Sequence, residues 1–225
     1  TDEVYLNGVL IGFSGSCPPK FKTAYNTERK YPLPIEIVNF TGNNTIAIRV
    51  YDGMQGGGII EGKLGIFPLE RNKNLLIDLQ GIWMWTPGKA DDPQKKESDW
   101  IRLMVPAPWE HQGYPKYDGF ARYKRTFTLP ENFNTEGLVL MLGKIDDFDK
   151  TYVNGQMIGS TNDHQPYGSS DSYSENRVYT LPGSLLKKKG LNTIEVVVED
   201  MGNIGGIYEG PIGITTRANY NKYFK

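Results

Sequence analysis

A single cysteine, Cys17, stands in 225 residues. That excludes an internal disulfide and a cysteine-based metal cluster, and a small, partly buried thiol needs no reactive role. Histidine is almost as scarce, with two in the chain, which leaves a zinc site short of its usual nitrogen ligands. No run of about 18 apolar residues occurs, so no membrane-spanning helix is expected. An excess of one charge is missing too. The formal net charge is −1, with lysines and arginines spread along the chain. A nucleic-acid binder needs a basic face, so that class is excluded. There is no initiator methionine and no signal peptide ahead of Thr1-Asp2-Glu3. A processed product, or a segment of something longer, is therefore expected.

What the chain has in quantity is glycine, 26 residues, and much of it sits in a phrase written twice. "GMQGGGIIEGKLGI" (Gly53–Ile66) returns as "MGNIGGIYEGPIGI" (Met201–Ile214). Three other blocks keep step with it. "VYLNGVLIG" (Val4–Gly12) matches "TYVNGQMIG" (Thr151–Gly159) at an offset of 147. "AYNTERKYPLP" (Ala24–Pro34) matches "SYSENRVYTLP" (Ser172–Pro182), and "NNTIAIRVYD" (Asn43–Asp52) matches "LNTIEVVVED" (Leu191–Asp200), both at 148. Four blocks in one order define two copies of one module. Copy 2 has a long segment, Leu75 through Asp149, ahead of its "YVNG" block; copy 1 has three residues ahead of its own. Copy 1 thus reads as the back half of a module, to be completed by upstream chain or another subunit, because half a sandwich closes little core. The expected division is residues 1–68 for the partial copy, 69–74 for a linker, 75–216 for the complete copy and 217–225 for a tail.

Both copies read as β-structure. "TIAIRVYD" and "TIEVVVED" are β-branched strands, and "ARYKRTFTL" and "EGLVLMLG" are two more. Each "NG" marks a two-residue hairpin turn. Only "GSLLKK" (Gly183–Lys188) hints at a helical turn. Short strands with frequent turn signals predict an all-β, antiparallel sandwich or jelly roll.

Read in order, "IDLQGIWMW" (Ile77–Trp85), "DWIRLMVPAPWEHQG" (Asp99–Gly113), "DGFARYKRTFTLP" (Asp118–Pro130) and "LGKIDDFDKTYVNGQMIG" (Leu142–Gly159) carry a family likeness. This order resembles the sugar-binding, galactose-binding-like jelly roll of glycoside hydrolase family 2. It looks closer still to the version in bacterial sialate O-acetylesterase-like carbohydrate esterases, which pair an "IDD-D-YVNG-G" run with a late glycine-rich loop like Gly205–Pro211. The resemblance implies a non-catalytic carbohydrate-binding or accessory module, secreted or periplasmic. Its partners would be a glycan and a catalytic domain outside this chain. A part in shaping an esterase or hydrolase cleft, or a purely architectural role between domains, are the alternatives. No catalytic residue is assigned: "GFSGS" (Gly12–Ser16) lacks the spacing and the following helix of a nucleophile elbow.

Candidate ligand residues come from polar, aromatic-dotted segments. His164 and Tyr167 lie in the long loop Ser160–Ser174, where a rigid sandwich would present binding groups. Tyr173 and Arg177 follow, and the arginine recurs in copy 1 as Arg29; a sugar-binding fork and a loop-pinning contact are both open to it. Tyr208 and Glu209 belong to the glycine phrase, where Ile60 and Glu61 stand in copy 1. The phrase is not a phosphate cradle, since a strand rather than a helix follows it. Trp109 and His111 form a further group; the family pattern places a Trp-Glu pair here, which reads mostly as structural. Asp146, Asp147 and Asp149 in "IDDFD" are weak calcium candidates, weighed against a bend in which aspartates accept backbone amides. No other cofactor is expected.

Overall fold

The computed structural model describes every residue except Lys20, Gln55, Leu69, Arg71, 90–98 and 163–170. It comprises two units, Thr1–Leu69 and Glu70–Lys225. In the first, β1 (Asp2–Leu6), β2 (Val9–Ser14) and β3 (Ile46–Val50) form an antiparallel sheet in the order β2-β1-β3. Asn7 and Gly8 turn the β1–β2 hairpin at φ of 50° and 83°. Positive φ at both central residues is what a type I′ turn requires, hence Asn-Gly. Val4, Leu6 and Ile11 bury against Tyr31, Leu33, Ile37 and Val38. Burial stops there. β3 is exposed at every position, and Ile59, Ile60, Leu64, Ile66 and Phe67 are exposed as well.

The second unit holds β4 (Ile77–Asp78), β5 (Gly81–Pro87), β6 (Ile101–Val105), β7 (Gly119–Phe127), β8 (Leu138–Asp146), β9 (Phe148–Val153), β10 (Gln156–Thr161), β11 (Asn176–Leu181), β12 (Asn192–Asp200) and β13 (Gly206–Thr216). Six strands pair as β10-β9-β12-β7-β5-β6 and four as β11-β8-β13-β4, all antiparallel. The second hairpin turn, Asn154-Gly155, repeats the φ values of the first. β12 alternates buried and half-buried side chains along its length, as its sequence pattern requires. Both sheets contribute to one core: Trp83, Tyr123 and Val196 from the six-stranded sheet, Leu140, Ile207 and Ile214 from the four-stranded one. The architecture is an all-β antiparallel sandwich, as its sequence predicts.

The expected tail differs: Arg217–Tyr223 is a helix, α1, whose start is capped by the Thr216 side chain accepting from Asn219 N. The "GSLLKK" hint is a single 3₁₀ turn, Gly183–Leu185. Among the described residues no helix is long and apolar enough to cross a membrane.

The two units differ in a way the repeat makes measurable. In unit 2, β12 is flanked by β9 and β7, and β13 is paired along β8. In unit 1, β3 pairs only with β1, and the counterpart of β13 forms no strand among its described residues. Residues 1–68 expressed alone are therefore expected to show no cooperative, monomeric melting transition; a sharp two-state melt at micromolar concentration would overturn this.

Candidate functional site

The polar residues kept in both copies build one network twice. In unit 2, Arg177 Nε donates to Asp149 Oδ1 at 3.0 Å. Its Nη1 reaches the carbonyls of Ser172 and Glu175, and its Nη2 that of Asp147. Tyr179 donates to the same carboxylate at 2.8 Å and shares a hydrogen bond with Thr161. In unit 1, Arg29 Nε donates to Asp2 Oδ1 at 2.6 Å, its Nη1 reaches the carbonyls of Ala24 and Thr27, and Tyr31 donates to Asp2 and meets Ser14. Each residue in the first unit's set maps onto the second by the 147–148 offset; the Asp147 carbonyl, reached by Arg177 Nη2, has no counterpart. A network preserved where the surroundings differ is a fold device: it ties the loop before β11 to the start of β9. Burial pushes the Asp149 carboxyl upward, opposed by Thr151, Arg177 and Tyr179. Burial likewise raises Tyr31, with help from Asp2, to about 12.

This corrects two expectations. Arg177 is 1% exposed and fully engaged inside the protein, so it offers no fork to a sugar. Asp149 belongs to Arg177 and does not join Asp146 and Asp147 in a metal-type set. The third carboxylate beside those two is Asp200, from the end of β12; one oxygen of each lies within 4.8 Å of the others. Sequence reasoning missed Asp200. Its one signal was the repeated terminal aspartate of the strand block, Asp52 in copy 1.

Trp109 is also corrected. It is wholly buried, on a 3₁₀ turn spanning Trp109–Gln112. Its ring packs on Trp85, Tyr117 and Tyr123, and its Nε1 donates to the Tyr117 carbonyl. No ligand can touch it. His111, two residues on, is exposed. Glu110 turns inward, and its Oε2 accepts from Gly205 N at 2.9 Å. Burial raises its pKa.

The glycine phrase is explained by that tryptophan. A Cβ on Gly205 would stand 2.1 Å from the Trp109 ring, and one on Gly206 2.2 Å from the Tyr123 hydroxyl. In unit 1 the equivalent Gly57 would meet only the Asp52 side chain. Gly205→Val is therefore expected to cost about 1–3 kcal/mol or more through overpacking, whereas Gly57→Val should be near neutral. Equal effects on urea unfolding would show that the ring contact does not set the glycine.

At the surface, Tyr208 donates to the Tyr173 carbonyl at 2.7 Å, and Tyr173 is 44% exposed. Glu209 pairs with Lys144 at 3.0 Å. These residues and His111 remain accessible. His164 and Tyr167 lie outside the described residues. Beneath Tyr208, burial and the neighbouring Asp147, Asp200 and Glu110 carboxylates push Asp146 well above the ordinary carboxylate range. Asp200 is raised to about 7, first by burial, although an amide hydrogen bond from Gly202 pulls it down.

Residues 85–204 match the model of a family described as the beta-galactosidase second all-beta domain. Among solved structures, the chain is similar to a Bacteroides uniformis beta-glucuronidase at 21% identity and a TM-score of 0.47, covering 59% of this chain and 16% of that one. A Faecalibacterium prausnitzii beta-glucuronidase shows 22% identity and a TM-score of 0.46, with 60% and 22% covered. For a Dictyoglomus thermophilum beta-glucuronidase the figures are 20%, 0.45, 56% and 20%. The aligned region is thus about a fifth or less of those enzymes. No curated protein matches.

Proposed function

Because the chain belongs to the family of the beta-galactosidase second all-beta domain, we propose that it works as a non-catalytic accessory β-sandwich of a carbohydrate-active enzyme, with the catalytic domain outside this chain. The observation that carries this reading is the family match, which lies wholly within one sandwich, Glu70–Lys225. The internal use of the chain's most chemically suggestive side chains supports it. Arg177, Asp149 and Trp109 brace the fold and are closed to substrate. The parent enzyme is proposed to be a glycosidase. The narrower kinship with sialate O-acetylesterase-like enzymes rests on the "IDDFD" and "YVNG" phrases and the late Gly205–Pro211 loop, and the matched proteins are named for glycosidase activity.

The purified chain is expected to release no chromophore from nitrophenyl β-galactoside, β-glucuronide or acetate. Turnover that persists through purification and falls on mutation of this chain would overturn the accessory reading. A glycan-holding role is the finer form of the proposal, supported by the accessible Tyr173 and Tyr208 pair. Tyr173→Ala should then reduce retention on immobilised glycans while leaving the melting temperature unchanged. Wild-type protein that no glycan retards would leave the bracing role alone.

A further inference from the structure

Three carboxylates converge where β8, β12 and the loop before β13 meet, and a fourth, Glu110, lies nearby. Asp146 ends β8, Asp147 follows it, and Asp200 ends β12. They are 7%, 7% and 2% exposed. Glu110 lies close enough to raise the pKa values of both Asp146 and Asp200. Among the described residues no lysine, arginine or histidine forms an ion pair with any of the four. Arg177 is committed to Asp149, and Lys144 to Glu209. Backbone amides satisfy part of the group: Met201 N donates to Asp147 Oδ2, Gly202 N to Asp200 Oδ1 and Gly205 N to Glu110 Oε2.

Two oxygens are left over. Asp200 Oδ2 and Glu110 Oε1 are buried and accept no hydrogen bond. A buried carboxylate oxygen without a partner is costly, and several carboxylates in a low-dielectric setting repel one another strongly. One positive charge held among Asp146, Asp147 and Asp200 supplies the counter-charge that the group lacks. The donors are all hard oxygens, which select calcium or magnesium over softer metals. Coordination number favours calcium: it accepts several carboxylates in a flexible shell, whereas magnesium keeps most of its waters and takes one or two carboxylates. One oxygen each of Asp146, Asp147 and Asp200 lies within 4.8 Å of the others, close enough to share one such ion.

We propose that Asp146, Asp147 and Asp200 bind one calcium ion, with Glu110 beside it. The ion joins the two sheets of the sandwich, since β8 belongs to the four-stranded sheet and β12 to the six-stranded one. Its role is structural: it fixes the Met201–Gly205 loop, which carries Gly205 onto Trp109. The repeat gives only Asp200 a counterpart in unit 1, Asp52, so one ion per chain is expected.

The test is calorimetric titration of calcium chloride into the EDTA-treated full chain at pH 7, together with thermal melts. One site should appear, the melting temperature should rise with calcium, and EDTA should reverse the rise. Magnesium should act more weakly. Asp200→Asn, which keeps the shape and removes a ligand charge, should weaken calcium binding by roughly tenfold or more. The wild-type titration decides without any variant: no heat and no shift at millimolar calcium would mean that protons alone settle this cluster, and the proposal fails. Binding undiminished in both Asp200→Asn and Asp146→Asn would place the ion elsewhere and fail it equally.

Discussion

Arg177→Met will destabilise the Glu70–Lys225 unit by about 3–5 kcal/mol, the range for breaking a buried ion pair from one side. The side chains of Arg177 and Asp149 are 1% and 0% exposed. Methionine fills much of the volume but leaves the carboxylate without its counter-charge and takes one donor from each of the Asp147, Ser172 and Glu175 carbonyls, of which Asp147 keeps Ser172 Oγ and Ser172 keeps Glu175 N. Arg177→Lys should rescue little, because a single ammonium cannot reproduce a planar fork that reaches four acceptors. The duplicated network supplies an internal control. Arg29 makes the equivalent contacts except the one to the Asp147 carbonyl, and its side chain is 30% exposed, so Arg29→Met should cost much less. Urea unfolding of the three variants checks this. An Arg177→Met midpoint within error of wild type would mean that the network is ornamental.

Trp109→Ala is expected to cost about 3–5 kcal/mol as a large-to-small change in a closed core. The indole stacks on Tyr123 at 6.4 Å and lies 5.8 Å from Trp85, and its backbone amide donates to the Gly205 carbonyl. Removing it opens a cavity under the glycine loop. It should therefore relieve Gly205→Val, so that the double variant is less destabilised than the two single effects added together. Additive effects would show that ring and glycine are not in contact. The same variant separates two roles for the tryptophan. A ligand-contacting residue would lose glycan retention and keep its stability; a core residue does the reverse.

Much of this fold is legible in the amino-acid sequence alone. The 148-residue repeat, the Asn-Gly turns and the alternation in "NTIEVVVED" are local patterns, and local patterns report backbone geometry directly. The repeat also carries part of the site, since Arg29 and Arg177 mark a position with the same task in both copies. What it does not reveal is which partners the carboxylates choose. Asp147 and Asp149 are two residues apart, yet one faces Asp200 and the other Arg177. Asp147 lies at the bend between β8 and β9, while Asp149 is already in the pleat of β9. Trp109 sits in a loop segment rich in polar neighbours and is still drawn wholly inside. The composition of a segment sets what its side chains can do. Which of them meet, across separations such as the 95 residues between Glu110 and Gly205, is set by strand register and by the closure of two sheets over one core. Those are properties of the folded chain as a whole, and no window of sequence contains them.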